Sequence, residues 1–288
     1  MFESSGLFVE EDGQVVPTPW CRGPWDHGAM HGGAITGLVG WAAESAVPSA
    51  RMVLTRMTVE LWHLVPIQPL TVVAAVARPG RRVTVVDVEI RHDERLLVRA
   101  SSHWALPHLG EGPAGAGAGA GSGAEDDDAR ASPPRPALAV DPSLGDFDYP
   151  RPGFNCDAAE LRPVVGNTED PGPGVVWARV RQPVVVGHPL TPLQRVATLS
   201  DLGAAVGWDW SPSGAAFINP DVTMQLKRYP IGDWVCLDSR TSADSMGIGF
   251  CETILWDDHG QFGRVLQSQV ESPHSLRIEP GRTPSVAQ

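Results

Sequence analysis

The chain has 288 residues, 42% of them hydrophobic and 19% charged, with a net charge of −12. This composition supports a packed core and excludes wholesale disorder. The acidic balance excludes a protein that holds nucleic acid through its overall field. The length suits one large domain or two small ones.

The opening MFESSGLFVEEDG lacks the basic and apolar regions of a signal peptide. No apolar run approaches the roughly 18 residues of a membrane span, so the expectation is a cytoplasmic protein with no membrane span. Residues 30–46, MHGGAITGLVGWAAESA, predict a helix that is small or apolar nearly all round, hence buried. Its interior glycines each cost about 1 kcal/mol of helix stability relative to alanine, so tertiary packing must supply the difference. Small residues on one face let such a helix lie close to a neighbour, which is expected to be a curved sheet. MTVELWHLVPI (57–67) follows, and then three runs rich in Val, Ile and Leu, broken at Pro79-Gly80 and Asp93-Glu94. These predict antiparallel strands joined by tight turns.

Residues 110–150 open with GEGPAGAGAGAGSGAEDDDARASPPRP, too poor in apolar residues to offset its ordering entropy, and are expected to be a disordered linker. The Gly-Ala alternation is no phosphate loop, because no Lys-Ser/Thr follows it. A second pattern then repeats the first. Val39-Gly40-Trp41 returns as Val206-Gly207-Trp208, Thr58 as Thr223 and Pro66 as Pro230, at a nearly constant offset. Residues 192–210 predict the second helix, and three β-rich runs follow VTMQLKRYPI (222–231), broken near Asp244-Ser245 and Asp258-His259-Gly260. The expected organisation is one unit over 1–109, the linker over 110–150, a second unit over 151–274 and a flexible tail over 275–288. Each unit is a central helix wrapped by an antiparallel sheet, an α+β class.

The four cysteines are widely spaced and form no C-x-x-C pair, which argues against a zinc or redox site. Neither a metal nor a cofactor is expected. Lys227-Arg228 and Arg81-Arg82 are either solvated faces or contacts for a phosphate.

GPWDHGAMHGGAITGLVGWAAE, PLTVVAAVARPGRRV, TPLQRVATLSDLGAAVGW, FINPDVTMQLKRYPIGDWVCLD and DDHGQFGRVLQSQV together resemble the thioesterase-like superfamily, and more closely the acyl-CoA thioesterase II-like double-hotdog proteins. The resemblance spans roughly residues 7–107 and 156–272. It implies two fused hotdogs, an acyl-CoA or related thioester as partner and a hydrolase of fatty acid metabolism. It leaves a homo-oligomer open. It also implies a water held by an Asp on the second helix, a Ser or Thr on the next strand and a Gln on the last strand. By motif these fall on Asp201, Thr223 and Gln267, with Gln269 as the alternative glutamine. His31, Gly32 and Gly33 are the candidate substrate contacts, with a helix cap and close backbone packing as their structural alternatives. Asn219 and Asp221 are expected to shape the turn before the strand.

Such a site hydrolyses a thioester without a covalent intermediate, in keeping with the lack of a G-x-S-x-G elbow. Asp201 serves as base or orienting acceptor, and backbone amides at the glycine-rich helix start serve as oxyanion donors. In the repeat Asp201 aligns with Ala34, so the second unit is expected to carry the polar constellation and the first mainly packing. Two rivals share the fold: a non-catalytic acyl-CoA or fatty-acyl binding protein, and a hydratase or dehydratase working through a His and an acid.

Overall fold

The computed structural model describes residues 6–24, 26, 28–107, 132–135, 151–166, 171–209, 211 and 214–271. A short hairpin, β1 (Phe8–Glu11) and β2 (Gln14–Pro17), leads into α1 (Gly32–Ala46). Four strands follow: β3 (Val53–Leu61), β4 (Thr71–Arg78), β5 (Val83–His92) and β6 (Arg95–Ala105). The second unit opens with a π-helical turn (Phe154–Ala158), β7 (Ala159–Val165) and β8 (Gly174–Val180). Its helical part is α2 (Pro192–Leu199), a 3-10 turn (Ser200–Leu202) and α3 (Gly203–Val206). The strands β9 (Phe217–Ile218), β10 (Asp221–Leu226), β11 (Val235–Ala243), β12 (Ile248–Asp257) and β13 (Gly260–Glu271) complete it.

Ten strands run in the order β4-β5-β6-β3-β10-β13-β12-β11-β8-β7, and β9 adds to β13. The two repeat segments are neighbours at the centre of this sheet. β3 and β10 pair antiparallel, with Thr58 opposite Thr223, Val59 opposite Val222 and Met57 opposite Met224. Sequence similarity has thus become structural symmetry, and the seam between units is an ordinary β ladder. Side chains alternate across a strand. Met57, Val59, Val222 and Met224 turn inward and are buried, while Thr58 and Thr223 share the outer face.

The small face of α1 meets the other helix rather than the sheet, which corrects the sequence expectation. A Cβ built on Gly33 would stand 2.6 Å from the Thr198 carbonyl oxygen, and one on Gly40 would stand 3.0 Å from the Ala197 Cβ. At Gly37 the added atom would overlap the Thr198 hydroxyl. Thr36 fastens the contact by donating its hydroxyl to the Ala197 carbonyl at 2.7 Å. The second helix, expected to run unbroken over 192–210, instead tightens at Ser200–Leu202, and that break holds Asp201.

Residues 132–135, inside the span expected to be a disordered linker, are fastened to the outer face of the second unit. The Ser132 hydroxyl donates to the Asp257 carbonyl at 2.6 Å, and the Trp177 indole N–H donates to the Pro133 carbonyl at 3.0 Å. Arg135 pairs with Asp258 at 3.2 Å. The rest of 110–150, and the tail over 275–288, lie outside the described residues. Among the described residues no helix is long and apolar enough to cross a membrane.

The packing at Gly37 gives a direct check. Gly37→Ala gains about 1 kcal/mol of helix propensity but forces the two helices apart, and overpacking of this kind costs about 1–3 kcal/mol. The variant is expected to unfold at lower urea concentration than wild type; an unchanged or higher midpoint would show that the helices are not in close contact there.

Candidate active site

Thr191 caps α2, its hydroxyl accepting from the Gln194 N–H at 3.1 Å, and Pro192 occupies the first turn, where a missing N–H costs nothing. After Leu199 the helix tightens, and the Ser200 hydroxyl donates back to the Ala197 carbonyl at 2.7 Å. This tightening turns Asp201 toward the first unit. Its side chain is 8% exposed and rests on the N-terminus of α1. A Cβ on Gly32 would stand 2.5 Å from Asp201 Oδ2 and 2.8 Å from Oδ1. Only glycine leaves room for a carboxylate there. The Gly32 N–H, which has no bonded acceptor among the described residues, and the positive dipole end of a 15-residue helix favour a negative charge at that spot.

Two amide side chains hold one carboxylate oxygen. Asn219 Nδ2 donates to Asp201 Oδ1 at 2.5 Å, and Gln267 Nε2 donates to the same oxygen at 3.2 Å and to the Asp201 carbonyl at 3.2 Å. The Gln267 carbonyl oxygen accepts from the Ala204 N–H at 3.0 Å, which fixes which end of the amide faces Asp201. Asp201 Oδ2 lies 3.2 Å from His31 Nδ1. That nitrogen accepts from the Gly33 N–H at 2.8 Å as the cap of α1, so its lone pair is already engaged. The His31 ring stacks on Phe154, with centroids 4.3 Å apart and planes at 15°. Burial lowers the proton affinity of His31 below its ordinary range, and the nearby Asp201 carboxylate opposes that only in part. The ring is neutral, with its proton on Nε2.

The structure brings Asp201, Gln267, His31, Gly32 and Gly33 together. It does not bring Thr223. That hydroxyl lies on the outer face of β10 and donates to the Thr58 hydroxyl at 3.2 Å, while Gln267, on the neighbouring strand, faces inward. The inward residue beside Gln267 on β10 is Val222. Of the two glutamines, Gln267 contacts Asp201. Asn219 does more than shape a turn, since it binds the Asp201 carboxylate. The site is shared between units, because the first contributes His31 and both glycines; the expectation that it adds mainly packing does not hold. Phe154 carried no sequence signal, lying far along the chain from the histidine it stacks against. Arg228 is spent on the buried Asp257, whose carboxylate it grips with both terminal nitrogens.

Residues 21–104 match the model of the acyl-CoA thioesterase N-terminal domain, and residues 126–270 match that of the acyl-CoA thioesterase C-terminal domain. The chain belongs to the acyl-CoA thioesterase family. The match to the C-terminal domain begins inside the span read as linker, in keeping with the fastened residues 132–135. No curated protein matches significantly. Solved structures with the same fold include the tesB protein of Mycobacterium avium subspecies paratuberculosis, 17% identical with a TM-score of 0.59, covering 92% of this chain and 96% of that one. An acyl-CoA thioesterase II of Mycobacterium marinum is 17% identical, with a TM-score of 0.57 and 95% of each chain covered. A hot dog fold protein of Alicyclobacillus acidocaldarius is 14% identical, with a TM-score of 0.63, covering 94% of this chain and 97% of that one. The double hotdog of this thioesterase family member is therefore established.

The buried neutral histidine has a thermodynamic consequence. The unfolded chain takes up a proton at His31 as pH falls through the ordinary value of 6.5, and the folded chain does so only at lower pH. Unfolding thus binds a proton below 6.5, and stability present above that value is lost on acidification. His31→Phe removes this term. The stability advantage of wild type over the variant should shrink between pH 6.5 and 5.5 by up to about 1.4 kcal/mol per pH unit, measured by urea unfolding. A pH-independent difference would show that the histidine is not held neutral.

Proposed function

We propose that the chain hydrolyses an acyl-CoA thioester by direct attack of water, with Asp201 as general base at the start of α1. The observation that carries this reading is the division of labour between the Asp201 oxygens. Oδ1 accepts from Asn219 and Gln267, while Oδ2 faces a histidine nitrogen whose lone pair is taken. Oδ2 therefore keeps its acceptor capacity for a water proton. Membership of the acyl-CoA thioesterase family supports the substrate class.

In this mechanism the water oxygen bonds to the thioester carbonyl carbon as its proton passes to Asp201 Oδ2. The carbonyl oxygen takes the negative charge, and in this reading the Gly32 N–H, first in α1 and without an intrahelical acceptor, donates to it. One preorganised donor of this kind is worth roughly 3–4 kcal/mol in the transition state. Collapse breaks the C–S bond and expels CoA as a thiolate, a leaving group that needs little acid assistance because a thiol has a pKa of about 8.5. The proton held by Asp201 returns to the thiolate, leaving free acid and CoA. Gln267 and Asn219 position the base, and His31 keeps the helix start in register. The neutral, capping state of His31 speaks against a hydratase in which it serves as the acid.

Asp201→Asn should lower release of free thiol from a panel of acyl-CoAs by about 10²–10⁴-fold; full activity would remove Asp201 from the mechanism, and acyl-CoA binding without turnover by wild type would favour a carrier. Gly32→Ala should also be strongly impaired, because its Cβ displaces the carboxylate. Thr223→Val, on the outer face, should stay within about twofold of wild type, as expected for a surface substitution remote from the site.

A further inference from the structure

The inner face of the second unit carries polar side chains that the proposed hydrolysis does not use. Registers place them in rows. Thr241 on β11 stands opposite Cys251 on β12, which stands opposite Gln267 on β13. One row further, Gln269 stands opposite Gly249, which offers no side chain. With strands about 4.8 Å apart and two residues spanning about 6.8 Å, Thr241 and Gln269 lie within roughly 10 Å of Gln267. Both are deeply buried, Thr241 at 8% exposure and Gln269 at 3%. Among the described residues, neither Gln269 Nε2 nor Thr241 Oγ1 has a hydrogen-bond partner of good geometry. The Cys251 thiol opposite Thr241 interacts with its hydroxyl, but a thiol is a weak hydrogen-bonding partner, and Gln269 Nε2 has not even that.

Buried polar groups are nearly always paired, since leaving one unsatisfied is costly. Leucine or valine would fill these positions without that cost, and a plain hydrocarbon chain lying here would leave both groups unpaired. An amide N–H₂ calls for an acceptor oxygen, and a threonine hydroxyl can donate or accept.

We infer that Gln269 and Thr241 form a subsite, adjoining the Asp201–Gln267 centre, for an oxygen-bearing segment of the thioester. The shared chemistry is an acceptor oxygen a few bonds from the thioester carbonyl. It has two sources, a hydroxyl or keto group on the acyl chain, or an amide of the pantetheine arm. The inference rests on the hydrolase reading for its placement beside the reacting carbonyl. It goes beyond that reading by making the substrate oxygenated at a defined place, and by making Gln269 a specificity residue distinct from the catalytic-site Gln267.

The test uses the full chain and four probes: 3-hydroxybutanoyl and butanoyl groups, each carried on CoA and on N-acetylcysteamine. Wild type, Gln269→Leu and Thr241→Val are compared by kcat/KM for thiol release, with thermal unfolding measured on the ligand-free proteins. If the acyl group supplies the oxygen, Gln269→Leu lowers the hydroxybutanoyl-to-butanoyl ratio about 10-fold. If pantetheine supplies it, the variant lowers the CoA-to-cysteamine ratio by a similar factor and leaves the other unchanged. In either case the ligand-free Gln269→Leu protein unfolds at a temperature equal to or above that of wild type, because the lost group was unpaired. Thr241→Val, a smaller perturbation, should shift the same ratio in the same direction and shows the effect even if the leucine variant folds poorly. Both ratios unchanged in both variants would overturn the subsite, with the hydrolase reading intact as long as Asp201→Asn still abolishes turnover. If wild type hydrolyses none of the probes, the hydrolase reading falls. The same ratios are then read from dissociation constants by calorimetry, where unchanged ratios again overturn the subsite.

Discussion

The close approach of α1 to α2 is the contact on which the rest of the structure depends. Gly33, Gly37 and Gly40 remove the side chains that would separate the helices, and Thr198 and Ala197 occupy the space. Each glycine weakens α1 as an isolated helix. The loss is offset by burial of both helices beneath a sheet that wraps them, and by the Thr36 hydroxyl that bridges the two backbones. Were α1 built on alanine, the helices would move apart and the start of α1 would lose its neighbour on the second unit.

That neighbour is the tightened turn at Ser200–Leu202. Short 3-10 stretches inside helices often mark functional places, and here the reason is concrete. A regular α-helix would continue past Asp201; the tightened turn instead lays its carboxylate across the first amides of α1. A buried carboxylate is expensive unless hydrogen bonds and a favourable field receive it. Asn219, Gln267 and the helix dipole together meet that need, and they do so on one side only. The asymmetry between the two oxygens follows from where the donors sit, and it leaves Oδ2 with the acceptor capacity that the proposed role of base requires.

The two units contribute unequally but jointly. The carboxylate and both amides come from the second, whereas the field, the space and the capped helix start come from the first. The ladder between β3 and β10 holds the halves in register, so the site does not depend on a flexible connection. The inner face of the second unit also departs from pure packing logic, since among the described residues Gln269 Nε2 has no partner and Thr241 only a weak thiol one, where apolar residues would be more stable. Functional surfaces commonly sacrifice stability in this way.

Much of this was legible in the residues themselves. The repeat, the glycine-rich helices, the antiparallel meanders and the resemblance of the motifs pointed to a double hotdog and to Asp201. The outward direction of Thr223 was legible too, because Val222, Met224 and Leu226 alternate with Asp221, Thr223 and Gln225, and strand parity alone puts the hydroxyl on the polar face. The motif named Thr223 without regard to that alternation, and its hydroxyl meets Thr58 on the outer face rather than Asp201. Parity could not choose between Gln267 and Gln269, which share a face; only the position of the 3-10 turn above β13 did. Nor could any local pattern place Asn219 on the carboxylate, Phe154 on His31 or Gly32 beneath Asp201. Those contacts join residues far apart in the chain. Local propensity and periodicity determine which elements form and which sides they bury, whereas the meeting of two helix ends is decided by packing summed over the whole sheet, which no short stretch of sequence contains.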